Sequence, residues 1–297
     1  MKNLIIKTGA LGDVLRTTVL LRELKGEVYW LAAKSALPLL TSKRIKEVLL
    51  IDSKEDTEGL RKMSFDLVIS LEEDESILHL VGELEKKKLI GLFLNEKGET
   101  DYTPESAHWF DMSLVSKKGK EEADRLKREN RKSLQQILIE MVGGKFENQD
   151  YDFAPPKKSD RIGLVSSTGR LWPNKMWAGF TELFALLKNE GYDVRFLGRR
   201  ETLEEHIEDI KSCDLIVCGD TLGMHLALAM KKKTVVLFNC TPPQEIHDYG
   251  RAIKIMSPLC NKYLYKREFN REAINAIKPS QVLEAVKTLL ENSNGKG

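Results

Sequence analysis

The sequence predicts an α/β protein in two halves, each a parallel sheet with helices on both faces. Three observations predict it. Short apolar runs alternate with amphipathic stretches of helical period. The alternation stops once, in a stretch of Gly, Pro and charge, and then restarts. Several apolar runs end in small polar loops that lead straight into helical patterns, as repeated β-α-β units do. At 297 residues the chain is long enough for two domains of ordinary size. Each half is therefore expected to be Rossmann-like.

In the first half, "LIIK" reads as a strand and residues 14–24 as a helix, with Val14, Leu15, Val19, Leu20 and Leu24 near helical spacing. "VYWLA" (28–32), "VLLI" (48–51), "FDLVISL" (65–71) and "LIGLFL" (89–94) read as buried strands with helical patterns between several of them. Residues 95–110 are polar and irregular, and one long helix is predicted over 120–141. "GGKFENQDYDFAPPKKSD" (143–160) has no periodicity and is the candidate linker.

In the second half, "RIGLVSS" (161–167), "DVRFLG" (193–198), "DLIVCG" (214–219) and "TVVLFN" (234–239) read as strands. Helices are predicted over 177–188, 202–211, 224–230 and 280–290, and the final "NSNGKG" as a frayed tail. The halves are taken as 1–150 and 151–297, hinged at the linker, with the last helix expected to pack back toward the N-terminal half. Ligands of open parallel sheets sit beyond the carboxyl ends of the strands. Two such halves facing each other would make a cleft lined by those loops.

Composition removes several classes. A net charge of +2 does not suit a nucleic-acid-binding protein. The basic runs at Lys86–Lys88, Lys117–Lys118 and Lys231–Lys233 read as solvated turns or helix ends; an acidic membrane surface or an anionic acceptor is the competing reading. Cys213, Cys218, Cys240 and Cys260 have no metal-ligand spacing, so they are expected to be reduced thiols of a cytoplasmic protein. "DYD" (150–152) imitates an Asp-x-Asp metal motif but falls in the linker, and no metal is expected. There is no run of about 20 apolar residues and no signal-peptide core, which predicts a soluble chain that is not exported.

Three loops carry candidate chemistry. "TGALGD" follows the first strand. A dinucleotide fingerprint needs Gly-x-Gly-x-x-Gly, whereas only Gly9 and Gly12 are present, and no acid follows "VYWLA" to hold a ribose. Asp13 is then either a first-turn acid favoured by the helix dipole, or a carboxylate able to accept a proton from a sugar hydroxyl. "SSTGRLWPNKMW" follows the first strand of the second half. Ser166, Ser167 and Thr168 offer hydroxyls, and Arg170 and Lys175 offer charge suited to a diphosphate. The alternative is a basic loop anchored by Trp172 and Trp177. "CGDTLGMHLALAM" puts Asp220 and Thr221 at a strand end and Gly223 and His225 at a helix start. An anion suits that helix start; a plain N-cap and a satisfied histidine are the alternatives. "FNCTPP" ends the next strand in another small polar loop.

Together, "GALGD", "GRLWPNKMW" and "DTLGMHLALAMKKKTVVLFNCTPPQE" resemble glycosyltransferase family nine, whose best-known members are ADP-heptose:lipopolysaccharide heptosyltransferases. The resemblance spans nearly the whole chain. It implies a GT-B fold and an inverting, metal-independent transfer without a cofactor. It also implies a nucleotide-sugar donor, an acceptor that is a lipid-linked glycan, and contact with the cytoplasmic face of the inner membrane. By position Asp13 matches the family's proposed base, on an acceptor-side loop with Thr8, Gly9 and Gly12. Asp220, Thr221 and His225 match the family's Asp-Thr-Gly…His element at the donor. Here Leu222 intervenes and Gly223 comes one place later. Arg170 stands where the family has a phosphate-neutralising lysine, with Lys175 as a rival. Gly198 runs almost directly into the next helix, which reads as a lost β-α unit and leaves Glu201 as the candidate ribose carboxylate. Only Cys260 remains of the family's cysteine-rich C-terminal segment. The other readings are a GT-B transferase or epimerase using another nucleotide sugar, a Rossmann oxidoreductase, and a non-catalytic nucleotide-binding module.

Overall fold

The computed structural model describes residues 1–153 and 159–294; positions 154–158 of the predicted linker and 295–297 of the predicted tail lie outside the described residues. The chain divides into two units, Met1–Phe153 with Gln244–His247, and Ala154–Pro243 with Asp248–Gly297.

Unit 1 holds β1 (Lys2–Ile6), β2 (Glu27–Ala32), β3 (Ile45–Leu50), β4 (Ser64–Ser70), β5 (Glu85–Leu94) and β6 (Thr100–Tyr102). They form one sheet in the order β3-β2-β1-β4-β5-β6. The first five are parallel, and β6 runs antiparallel to β5. In β1 every residue after Lys2 is buried, because helices cover both faces of a parallel sheet and the central strand shows no alternation. Leu4, Ile6, Tyr29, Leu31, Phe65 and Val68 pack against Ile77, Leu80 and Val81 of the helix Glu75–Glu83. The sheet thus leaves the loops after β1 and β4 side by side, since those strands are hydrogen-bonded neighbours.

Unit 2 holds β7 (Ile162–Val165), β8 (Val194–Phe196), β9 (Leu215–Gly219), β10 (Lys233–Phe238) and β11 (Ala252–Met256), all parallel, in the order β11-β10-β9-β7-β8. The helix Leu222–Ala229 is buried from Gly223 onward, which explains why it shows almost no polar face. The α/β class and the parallel sheets are therefore as predicted.

Several expectations are corrected. The predicted 14–24 helix is an α-helix over Leu11–Thr17 that tightens to a 3₁₀ turn over Thr18–Arg22. The predicted 120–141 helix is two, Lys120–Glu129 and Leu134–Met141. Asn130 turns its side chain onto the backbone of Lys132, and the Ser133 hydroxyl accepts from the Gln136 amide to start the second helix. Both residues offer the backbone a local alternative to helix. The "irregular" 95–110 stretch contains β6 and the short helix Ala107–Phe110, and β11 was not foreseen.

The last helix, Pro279–Asn294, belongs to unit 2. Val282, Leu283, Ala285 and Val286 join Leu183 and Leu187 in the core of unit 2. What returns to unit 1 is the segment Gln244–His247, through the Glu245 carbonyl, which accepts from Arg16 at 2.7 Å, and through His247, edge-on to Phe146 at 4.9 Å.

The basic runs are not simply solvated. Lys86 donates to the carbonyls of Val81 and Leu84, Lys87 pairs with Asp66, and Lys88 with Glu105. Lys117 and Lys118 pair with Asp101 and Asp111. Lys232 is buried and donates to the Lys211 carbonyl at 3.0 Å. Asp152 of the "DYD" stretch likewise faces Arg22 and Arg44.

Candidate functional site

In unit 1 the loop after β1 turns sharply at Ala10, which adopts a left-handed conformation (φ 54°). Its carbonyl accepts from the amides of Asp13 (2.6 Å) and Val14 (3.1 Å), which starts the helix Leu11–Thr17 and fixes the level of Asp13 on it. Asp13 keeps a 40% exposed side chain and pairs at 3.2 Å with Arg16, which is 7% exposed. Gly9 and Thr8 carry no phosphate-ready amides. Both donate to one oxygen of Glu72, at 3.0 and 2.6 Å, and the Lys7 ammonium approaches the same oxygen at 3.0 Å. Glu72 follows β4 almost directly and escaped the sequence reading. The one signal was the acidic "EED" immediately past a strand end.

Asp13, Lys7, Thr17 and Glu72 line a cavity of about 390 Å³ together with Trp109 and Leu114. Trp109 lies in the polar stretch 95–110. An indole beside carboxylates and a lysine suits a polyhydroxylated ligand with an apolar face.

In unit 2 the loops after β7, β8 and β9 carry the other predicted residues. Lys175 ion-pairs with Asp220 at 2.7 Å. Burial would raise the Asp220 carboxyl, but the charges of Lys175 and His225 and hydrogen bonds from Lys175 and Thr241 outweigh it and hold the pKa at about 2. Asp220 is therefore a fixed anion and Lys175 its counter-ion.

The helix Leu222–Ala229 begins at Thr221, whose side chain does not cap it. The Thr221 hydroxyl and the Asn239 side-chain carbonyl oxygen are buried and have no partner. Such polar atoms carry a free-energy cost unless a ligand or an ordered water meets them. The amides of Leu222 and Gly223, in the first turn, have no intrahelical acceptor. Gly219 at the end of β9 is required by close approach: a Cβ there would lie 2.5 Å from the Lys175 carbonyl.

Arg170 is exposed and makes no hydrogen bond or ion pair among the described residues, so its charge is uncommitted. Ser166, Ser167 and Thr168 are half-buried at the end of β7. Trp172 is edge-on to Tyr265, with Lys175 and Arg267 both against its ring at 5.7 and 5.1 Å. Trp177 is a core anchor, buried and bonded to the Ile277 carbonyl. Asn174, fully buried, clasps the backbone of Lys266, Glu268 and Asn270. Neither Asn174 nor Thr241 was singled out from sequence, because a lone Asn or Thr in a loop carries no pattern. Glu201 is exposed in the loop after edge strand β8 and is not tied into the Lys175–Asp220 cluster. That loop leads directly into the helix Leu203–Lys211, started by a Thr202–Glu205 capping box. The cysteines are buried thiols. Burial raises all four, Cys240 to about 12 and Cys260 to about 11.

Comparison with known proteins points one way. Residues 200–274, which hold the Asp220–His225 element and β9 to β11, match the model of glycosyltransferase family 9 (heptosyltransferase). A segment of 124 residues is 28% identical to lipooligosaccharide heptosyltransferase 2 of Campylobacter jejuni. That match covers 38% of this chain and spans 37% of the relative's length. The solved ADP-heptose lps heptosyltransferase II of E. coli superposes with a TM-score of 0.69 at 17% identity, over 99% of this chain and all of that one. E. coli heptosyltransferase WaaC, solved with ADP, superposes with a TM-score of 0.65 at 16% identity, over 97% and 100%. At such identity the likeness is one of fold, and the fold is GT-B. The resemblance read from the motifs is thus found again by the family model and by the fold.

Proposed function

We propose that this chain is an inverting, metal-independent glycosyltransferase that moves a heptose or a similar sugar from an ADP-sugar to a lipopolysaccharide-core or related glycan acceptor. The observation that carries the reading is the start of the helix Leu222–Ala229: an orphaned, buried Thr221 hydroxyl, uncapped first-turn amides, and Lys175–Asp220 fixed beside them. That arrangement suits a diphosphate. Arg170, with no partner of its own, supplies positive charge to the leaving group, while Lys175 is already spent on Asp220.

In the proposed reaction Asp13 takes the proton of the acceptor hydroxyl. The new bond forms from that oxygen to the anomeric carbon as the bond to the diphosphate oxygen breaks. ADP leaves from the opposite face, and the configuration inverts. Arg16, held by the Glu245 carbonyl, keeps the Asp13 side chain oriented. The acceptor sugar occupies the cavity beside Trp109. A lipid-linked acceptor would be met at the cytoplasmic face of the inner membrane. Among the described residues no helix is long and apolar enough to cross a membrane.

The test is calorimetric titration with ADP, UDP, GDP and NAD, followed by an assay of ADP-heptose transfer. ADP binding, followed by transfer, supports the reading. Preference for UDP or GDP keeps the mechanism and discards ADP-heptose. NAD binding alone overturns it.

A further inference from the structure

In a nucleotide-binding turn, loop amides after the first strand wait for a phosphate. Here they are occupied by the protein itself. A single oxygen of Glu72 accepts from the amides of Thr8 and Gly9 and from the Lys7 ammonium. The Lys7 and Glu72 side chains are only 12% and 14% exposed, so water screens the contact little. We propose that Glu72 is a built-in anion that locks the Gly9 loop and so positions Asp13, a task that a bound phosphate performs in nucleotide-binding turns. This inference rests on the reading of Asp13 as the base.

The chain of contacts runs from Glu72 to Asp13 in three steps. Glu72 holds the amides of Thr8 and Gly9. The next residue, Ala10, is left-handed without being glycine, a conformation that persists only where its surroundings enforce it. The Ala10 carbonyl then receives the Asp13 amide at 2.6 Å. The strand ends are pinned at the same level, because the Leu71 amide donates to the Ile6 carbonyl at 3.0 Å and Lys7 also reaches the Leu71 carbonyl. Charge-assisted bonds of this kind are the stronger class, and three meet on one atom. The loop is therefore assembled before any substrate arrives, with the amides of Thr8 and Gly9 already taken. Glu72 and Lys7 line the same cavity as Asp13, so the lock lies at the proposed acceptor site.

The experiment uses Glu72→Ala and Glu72→Gln in the full chain, with formate as the probe. Glu72→Ala should lower kcat at least about tenfold, since a displaced base can cost about a hundredfold, while ADP affinity stays unchanged. Formate should restore kcat and raise the thermal midpoint of Glu72→Ala, and do neither for the wild type. Glu72→Gln keeps a neutral acceptor for the two amides and loses the pairing with Lys7. It should fall between the two and ignore formate. Wild-type kcat in Glu72→Ala, or formate acting equally on both proteins, would overturn the proposal. If Glu72→Ala does not fold, the kcat of Glu72→Gln decides: a fall supports the lock and an unchanged value overturns it. If the wild type transfers no sugar, the reading of Asp13 fails, while the formate-dependent midpoint still judges the anion lock on its own.

Discussion

Lys175 and Asp220 meet at 2.7 Å where the neighbouring strands β7 and β9 deliver their loops, with side chains 19% and 12% exposed. The pair is mostly withdrawn from water, and its geometry depends on a glycine. Gly219 lets the Lys175 carbonyl approach where any Cβ would collide.

Removing Lys175 leaves a buried carboxylate alone. Lys175→Ala should destabilise unit 2 by about 3–5 kcal/mol. Lys175→Ala combined with Asp220→Asn should recover much of that loss. Chemical denaturation of the two variants checks this; equal stabilities would contradict it.

The same pair sets an acid limit. The folded pKa of Asp220 is held at about 2, below the ordinary 3.8. A lowered carboxylate stabilises the fold above the unfolded value and loses that contribution as pH falls through the folded one. Stability should therefore drop between about pH 4 and pH 2, by about 2 kcal/mol from this group. The drop should shrink in Asp220→Asn, as followed by denaturation midpoints across that window.

Gly219→Ala should force the Lys175 loop away from the end of β9. A cost of about 2 kcal/mol or more is expected, with weaker ADP binding, because both the helix start and Lys175 shift together. Unchanged midpoint and affinity would mean that the loop gives way freely.

Asp13→Ala should lower kcat by about 10²–10⁴-fold, the usual worth of a positioned base, and leave ADP affinity intact. Arg170→Ala should do the reverse, weakening ADP about tenfold while leaving adenosine binding unaltered, since in the proposed site only the phosphates would meet the guanidinium. Titration with ADP and adenosine, beside single-turnover kinetics, separates the two roles.

Ser133→Ala removes the N-cap of the helix Leu134–Met141 and should cost about 1 kcal/mol. In an unbroken helix the same change would be neutral or favourable, so the sign of the effect reports the break.

The sequence by itself determined the class of fold and the strand-end loops that hold the candidate site. Continuous apolar runs such as residues 4–6 and 215–218 are what doubly covered strands require, and their polar ends mark the loops. Asp13, Arg170 and Asp220 were legible because each lies one short loop beyond such a run. Helix boundaries at 130–133 were not, because Asn130 and Ser133 interrupt a periodic pattern without disturbing it. Strand β11 was missed because "AIKIM" is half-exposed at a sheet edge and too short to show a period. Only the tertiary structure decided what each charged loop residue does. Lys175 and Asp220 are 45 positions apart and Glu72 and Gly9 are 63 apart. A sequence pattern reports neighbours along one element. A salt bridge or an occupied amide depends on which strands the sheet places side by side. That order made Lys175 a counter-ion, left Arg170 uncommitted, and filled the glycine loop with a carboxylate in place of a phosphate.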